Sequence, residues 1–175
     1  SMSMRADLVG AEVARELVAT LPLRSRQAVV LKGVRRSGKS VLQTQLMRRV
    51  ASSLYCNLED TRLYGLSAAD FPTMLSVIGE LAPGDGPVFL DEVRVVAEWE
   101  RLVRSLLDRG RTVCVTGSNA SLLSREVGAK LTGRHLSFEV FPFGYREYLA
   151  YTGERPRAKS LRAYLDDGGF PGYLR

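Results

Sequence analysis

The chain has 175 residues, 45% of them apolar, and a formal charge of +6, with a pI near 9.6, which suits one domain with a full core. No apolar run approaches the roughly twenty residues that cross a bilayer, and the N-terminus lacks the apolar stretch of a signal peptide, so a cytoplasmic protein without membrane spans is expected. A single histidine, His135, and two cysteines, Cys56 and Cys114, each in an apolar strand-like run, speak against a zinc site or a disulfide and for reduced buried thiols.

The basic charge invites a nucleic-acid reading, since cationic surfaces release counterions from phosphate backbones. The arginines are scattered, however, with pairs at Arg35–Arg36 and Arg48–Arg49 and no longer basic run, so a solvated arginine-rich surface accounts for them as well.

Ser1–Met4 (SMSM) read as a cloning remnant and stand outside the fold. Leu8, Val9, Val13, Leu17 and Val18 have helical spacing, which predicts a helix over Ala6–Leu21 that ends before Pro22 and lies near the nucleotide base. Ala28, Val29, Val30 and Leu31 then form an apolar run of the kind found in a strand buried on both faces.

Directly after it, Gly33–Ser40 read GVRRSGKS and fill the phosphate-loop pattern GxxxxGK[ST], the Walker A motif, at every fixed position. Gly33 and Gly38 let the backbone curl and bring its N–H groups to phosphate oxygens, with Val34, Arg35, Arg36 and Ser37 spanning the cradle. Lys39 supplies a mobile cation for the β- and γ-phosphates, and the Ser40 hydroxyl suits a magnesium ligand. Val41 completes the nucleotide-binding stretch. A following helix carries Leu42, Leu46, Met47 and Val50 on one side, with Gln43, Gln45, Arg48 and Arg49 largely on the other. Strand, glycine loop and helix together aim the helix N-terminus at the phosphates.

Leu54–Leu58 (LYCNL) read as a second strand; Glu59 and Asp60 after it can approach the site or cap the next segment. Asp70 is placed to N-cap a helix with Pro72 in its first turn and Phe71, Met74, Leu75, Ile78 and Leu81 on one face, ended by a turn over Pro83–Pro87. Val88–Leu90 form an apolar strand that delivers Asp91 and Glu92 at its C-terminal end, the Walker B position, which in parallel α/β sheets faces the ligand crevice. Asp91 is placed to hold magnesium through water, and Glu92 to accept a proton from the water attacking the γ-phosphate.

Val96, Trp99, Val103, Leu106 and Leu107 make the buried stripe of a helix capped by Gly110, with Trp99 in the core. Thr112–Thr116 form a β-branched strand running into Gly117, Ser118 and Asn119. Asn119 can contact the γ-phosphate and its attacking water or cap the next helix. Phe141–Leu149 (FPFGYREYL) read as a turn and an amphipathic helix packed on the sheet, and a further helix through Leu161 and Leu165 precedes GGFPGYLR.

The order GVRRSGKS, YCNLED, VFLDEV, Trp99, VTGSNASLLSRE, LTGR, FPFGYREYL and GGFP resembles the prokaryotic AAA-type P-loop ATPases, in which a C-terminal domain of uncharacterised function usually follows the ATPase. The resemblance implies an α/β, three-layer P-loop NTPase fold with a five-stranded parallel sheet of order 5-1-4-3-2 and helices on both faces. It implies an ATPase domain over residues 5–155, with 156–175 holding a C-terminal helix and the start of a truncated following region. It also makes ATP and Mg2+ the ligands, Lys39, Glu92 and Asn119 catalytic, and Ser40 and Asp91 the metal contacts. Arg134, in LTGR, corresponds to an arginine placed near a nucleotide in its own or a neighbouring subunit, or serves as a structural ion-pair partner. A homo-oligomer and a C-terminal effector domain or protein partner are the partners that follow, and the basic charge adds nucleic acid as a further candidate. The expected activity is ATP hydrolysis, weak in the isolated domain; the alternative is a nucleotide-gated interaction or signalling module, with a small-molecule kinase a weaker third. No NKxD guanine signature occurs in the chain.

Overall fold

A computed structural model of the protein describes residues 13–50, 52–118 and 130–174. Five strands, β1 (Ala28–Gly33), β2 (Leu54–Asn57), β3 (Val88–Asp91), β4 (Val113–Ser118) and β5 (His135–Glu139), form one sheet in the order β2-β3-β4-β1-β5. Every pairing is parallel. Read from the other edge this is 5-1-4-3-2, the order the resemblance implies, with β4 between the glycine-loop strand and the acidic strand.

The helices described beside the sheet are α1 (Lys39–Met47), α2 (Phe71–Leu81), α3 (Trp99–Asp108), α4 (Tyr145–Thr152) and α5 (Ala158–Asp167). The central strands β1, β3 and the start of β4 are apolar on both faces because both are covered. On one side Ala28, Val30, Val88, Leu90, Val113 and Val115 pack with α2 and α3, the latter through Trp99, Leu102, Val103, Leu106 and Leu107. On the other, Val29, Leu31, Phe89 and Cys114 pack with Leu42 and Leu46 of α1. Trp99 lies in the core, as the sequence spacing suggests. Both cysteines are free thiols, and burial pushes that of Cys114 up to about 12.

Several local expectations are corrected. Residues 13–15 are not helical, and Glu16–Ala19 form only a single 3-10 turn, so the helix expected over Ala6–Leu21 is absent from its described half; residues 6–12 lie outside the described residues. The reason lies in Arg15 and Val13, whose backbones bond to the Gln45 side chain rather than along a helix. Gln43, assigned to the polar side of α1, is fully buried, and its amide donates to the Leu90 and Cys114 carbonyls. Asp70 precedes α2 but does not cap it. Its carboxylate instead accepts from Ser67 N–H and Oγ–H at 2.9 Å each, closing the 3-10 turn Ala68–Asp70.

The face of α2 that packs is Phe71, Leu75 and Ile78, with Met74 half-buried against them, while Leu81 is 69% exposed. Val96 is buried but precedes α3, which begins at Trp99. Asp60 caps the turn after β2 by accepting from Arg62 N–H, which decides its role in favour of capping. On α5 the buried residue is Ser160, and Leu161 and Leu165 face outward. The segment after residue 156 is nevertheless tied to the sheet domain: Tyr164 Oη donates to the Phe143 carbonyl at 3.0 Å, and Phe143 N–H donates to the Gly169 carbonyl at 2.7 Å.

The two leucines give a direct check on this packing. Leu106→Ala is expected to cost about 3 kcal/mol in chemical denaturation, whereas Leu81→Ala should stay within about 0.5 kcal/mol of wild type. Equal losses would contradict the assignment of the buried faces.

Candidate functional site

Parallel pairing carries every strand end to the same edge. Gly33 of β1 stands opposite Ser118 of β4, and Asn57 of β2 opposite Asp91 of β3. The glycine loop leaves β1 at this edge and enters α1 at Lys39, so the helix N-terminus and the acidic end of β3 flank one place. A Cβ on Gly33 would come within 2.3 Å of the Val140 carbonyl oxygen. Gly38 has φ +94°, and a Cβ there would meet an Arg15 guanidinium nitrogen at 2.6 Å. Both glycines are thus fixed by their surroundings as well as by the curl of the loop.

Lys39 is buried, and its ammonium donates to the Gly33 and Val34 carbonyls at 3.0 and 3.1 Å. Burial lowers its pKa, against the opposing negative fields of Glu92 and Asp91, which stand close enough to act on it. Val34, Arg35 and Arg36 are exposed, Ser37 is buried, Ser40 faces solvent, and Val41 is half-buried. Arg36 adopts a left-handed backbone, φ +65°, and its guanidinium lies over the Tyr173 ring and donates to its hydroxyl at 3.1 Å.

Asp91 is 3% exposed, and its carboxylate is held from two sides. Tyr55 Oη donates to Oδ2 at 2.8 Å, and the Thr116 hydroxyl donates to Oδ1. Thr116 Oγ1 in turn accepts from Glu92 N–H at 3.0 Å, tying the two acidic positions to β4. Burial, and secondarily Asp91, push the Tyr55 phenol well above the usual range, which keeps it a donor. Glu92 has φ +50°, so the chain turns sharply out of β3 at the edge of the site.

No group of three or more His, Cys, Asp or Glu among the described residues forms a metal cage. The donors present, the Asp91 carboxylate and the exposed Ser40 hydroxyl, are hard oxygens, which fits a magnesium ion shared with phosphates rather than one enclosed by protein. Two hydrogen bonds leave Asp91 with lone pairs for a metal-bound water.

Lys39, Asp91 and Glu92 are therefore brought together, as the motifs imply. Arg134 is not. It precedes β5 at the opposite edge, where its carbonyl accepts from Ala28 N–H, about 17 Å of strand from the loop of its own chain. Its guanidinium pairs with Asp108 at 2.7 Å. Asn119 lies outside the described residues. Tyr55 and Thr116 were read from the sequence only as strand residues; their alternation with core-facing neighbours beside the acidic strand was the available signal.

A family model for an AAA domain matches residues 25–149. The chain belongs to the AAA-domain family of prokaryotic P-loop ATPases. Among curated relatives, an uncharacterized protein of Methanocaldococcus jannaschii is 31% identical over 155 residues, covering 81% of this chain and 35% of its own length. An uncharacterized protein of Haemophilus influenzae is 32% identical over 155 residues, with 81% of this chain and 39% of its own covered. The chain thus spans little more than a third of these relatives. A crystal structure of a signal-transduction ATPase with numerous domains and a tetratricopeptide repeat sensor, from Pyrococcus horikoshii, superposes with TM-score 0.55 at 14% identity, over 91% of this chain and 28% of that one. This likeness shows the shared fold. The AAA chain is an ATPase-type domain in which no helix among the described residues is long and apolar enough to cross a membrane.

Thr116 tests the acidic edge. Thr116→Val removes a donor to Asp91 and the acceptor of Glu92 N–H, and should lower unfolding stability by about 1–3 kcal/mol. Thr116→Ser keeps both bonds and should retain most of it; a valine variant as stable as wild type would contradict the network.

Proposed function

We propose that this domain binds ATP with Mg2+ and hydrolyses it to ADP and phosphate. The observation that carries this reading is the meeting of Lys39 with Asp91 and Glu92 beside a glycine loop that opens a helix. The loop from Gly33 to Val41 supplies amides to the phosphates. Lys39 turns its ammonium from the loop carbonyls to the β- and γ-phosphates. Ser40 and Asp91 would hold Mg2+, which would supply charge neutralisation to the phosphate oxygens.

Glu92 takes a proton from the attacking water as its oxygen bonds to the γ-phosphorus. The bond to the β–γ bridging oxygen breaks, and its electron pair leaves with ADP. Asn119 serves as the polar contact to the γ-phosphate and the water. Adenine is favoured because the chain holds no NKxD guanine signature.

The placement of Arg134 favours a second reading for the isolated chain. Lying at the far edge and paired with Asp108, it reaches no phosphate of its own subunit. A monomer is then a nucleotide-gated module with little turnover, and hydrolysis requires a homo-oligomer in which Arg134 serves a neighbour's nucleotide.

Phosphate release separates these statements. Glu92→Gln should keep ATP binding and lose about 100-fold in turnover, and Lys39→Ala should lose binding. Rate per subunit should rise with protein concentration in the wild type and stay flat in Arg134→Ala. Equal turnover by wild type, Lys39→Ala and Glu92→Gln would contradict the assigned roles.

A further inference from the structure

Arg15 makes more specific contacts than any role in the proposed chemistry requires. It is 6% exposed, and its guanidinium reaches three separate segments. Nε donates to Glu147 Oε1 on α4 at 2.9 Å, one terminal nitrogen to the Ser37 carbonyl at 2.8 Å, and the other to the Phe141 carbonyl at 2.6 Å. The Phe143 ring lies 5.4 Å from its central carbon. Glu147 is equally committed: it also accepts from Glu16 N–H and Gly144 N–H at 2.9 Å each. This is a buried ion pair, hydrogen-bonded at each guanidinium nitrogen, set directly behind the glycine loop.

The contact to Ser37 has a consequence for the cradle. In a trans peptide the carbonyl and the following N–H point in opposite directions. Holding Ser37 C=O toward Arg15 therefore aims Gly38 N–H away from Arg15. A flip of this peptide would turn the carbonyl oxygen to that side and repel an anion. Glycine at 38 makes such a flip cheap, because it tolerates φ of either sign. The Ser37 side chain adds no restraint on this peptide, since its buried Oγ has no hydrogen-bond partner among the described residues.

We propose that Arg15, locked by Glu147, is the positioning residue that presets the Ser37–Gly38 peptide for phosphate binding, so that triphosphate affinity depends on α4 staying docked behind the loop. The inference rests on the nucleotide reading of the loop. It makes the first turn of α4, and through Phe143 the Gly169 segment after α5, the route by which movement in the C-terminal helices alters nucleotide affinity.

Removing both charges separates positioning from stability, because a buried ion pair replaced by apolar side chains of similar volume is often neutral for folding. Wild type, Arg15→Lys and Arg15→Met/Glu147→Leu are compared by thermal unfolding and by affinity for Mg-ATP, with inorganic triphosphate read by displacement of a fluorescent ATP analogue. The double variant should unfold cooperatively, at a lower temperature because the Ser37 and Phe141 carbonyls and the Glu16 and Gly144 N–H groups lose partners, and should lose about tenfold in affinity for both ligands. Arg15→Lys keeps the charge but lacks the planar fork, and should lose affinity for both as well; it carries the test if the double variant does not fold. A folded variant with unchanged affinity, or a loss confined to ATP with inorganic triphosphate unaffected, overturns the inference. Wild type that binds neither ligand overturns the nucleotide reading itself, and this inference with it.

Discussion

Parallel strand pairing is the constraint on which the rest depends. Because β1, β3 and β4 run the same way, their carboxyl ends share one edge, and chemistry distant in sequence is brought together there. Gly33 and Asp91, separated by 58 positions, end the two strands that flank β4. The same constraint sends Arg134, at the amino end of β5, to the opposite edge. Charge placement in this fold is decided by strand direction first and by side-chain reach second.

At the shared edge the electrostatics are balanced internally. A buried lysine is costly, and here two loop carbonyls and the fields of Asp91 and Glu92 offset part of that cost. Asp91 is itself satisfied by two hydroxyls rather than by a cation. These hydroxyls hold the acidic end of β3 in place, whereas Lys39 has to exchange its loop carbonyls for an anion. The Arg15–Glu147 pair extends this arrangement behind the loop and joins it to the C-terminal helices.

Much of this was legible in the sequence, for physical reasons that differ by element. The strands could be read because burial on both faces demands continuous apolar runs, as in Ala28–Leu31 and Val88–Leu90. The loop could be read because its glycines and Lys39 answer to backbone geometry and charge rather than to tertiary context. Gln43, Glu147 and Arg15 could not be read, since a polar residue on a helix or near a chain end signals solvent unless its partner is known. Gln43 bonds carbonyls of β3 and β4, and Arg15 bonds Glu147 across 132 positions. The N-terminal helix failed for the same reason: its apolar spacing was real, but Val13 and Arg15 give their backbone groups to Gln45. Leu81 shows the complementary error, an apolar residue in phase with a buried face yet beyond the end of the packed surface.

The central claim is that one edge of the sheet captures a triphosphate between the glycine loop and the acidic end of β3. A crystal structure of the protein with Mg2+ and a non-hydrolysable ATP analogue tests it most directly. The account predicts the β-phosphate on the amides at Gly38–Ser40, Lys39 swung from the Gly33 and Val34 carbonyls onto the phosphates, and Asp91 facing the metal through water. An analogue bound elsewhere, or bound at the loop with Lys39 still on those carbonyls and Asp91 turned away, would contradict it.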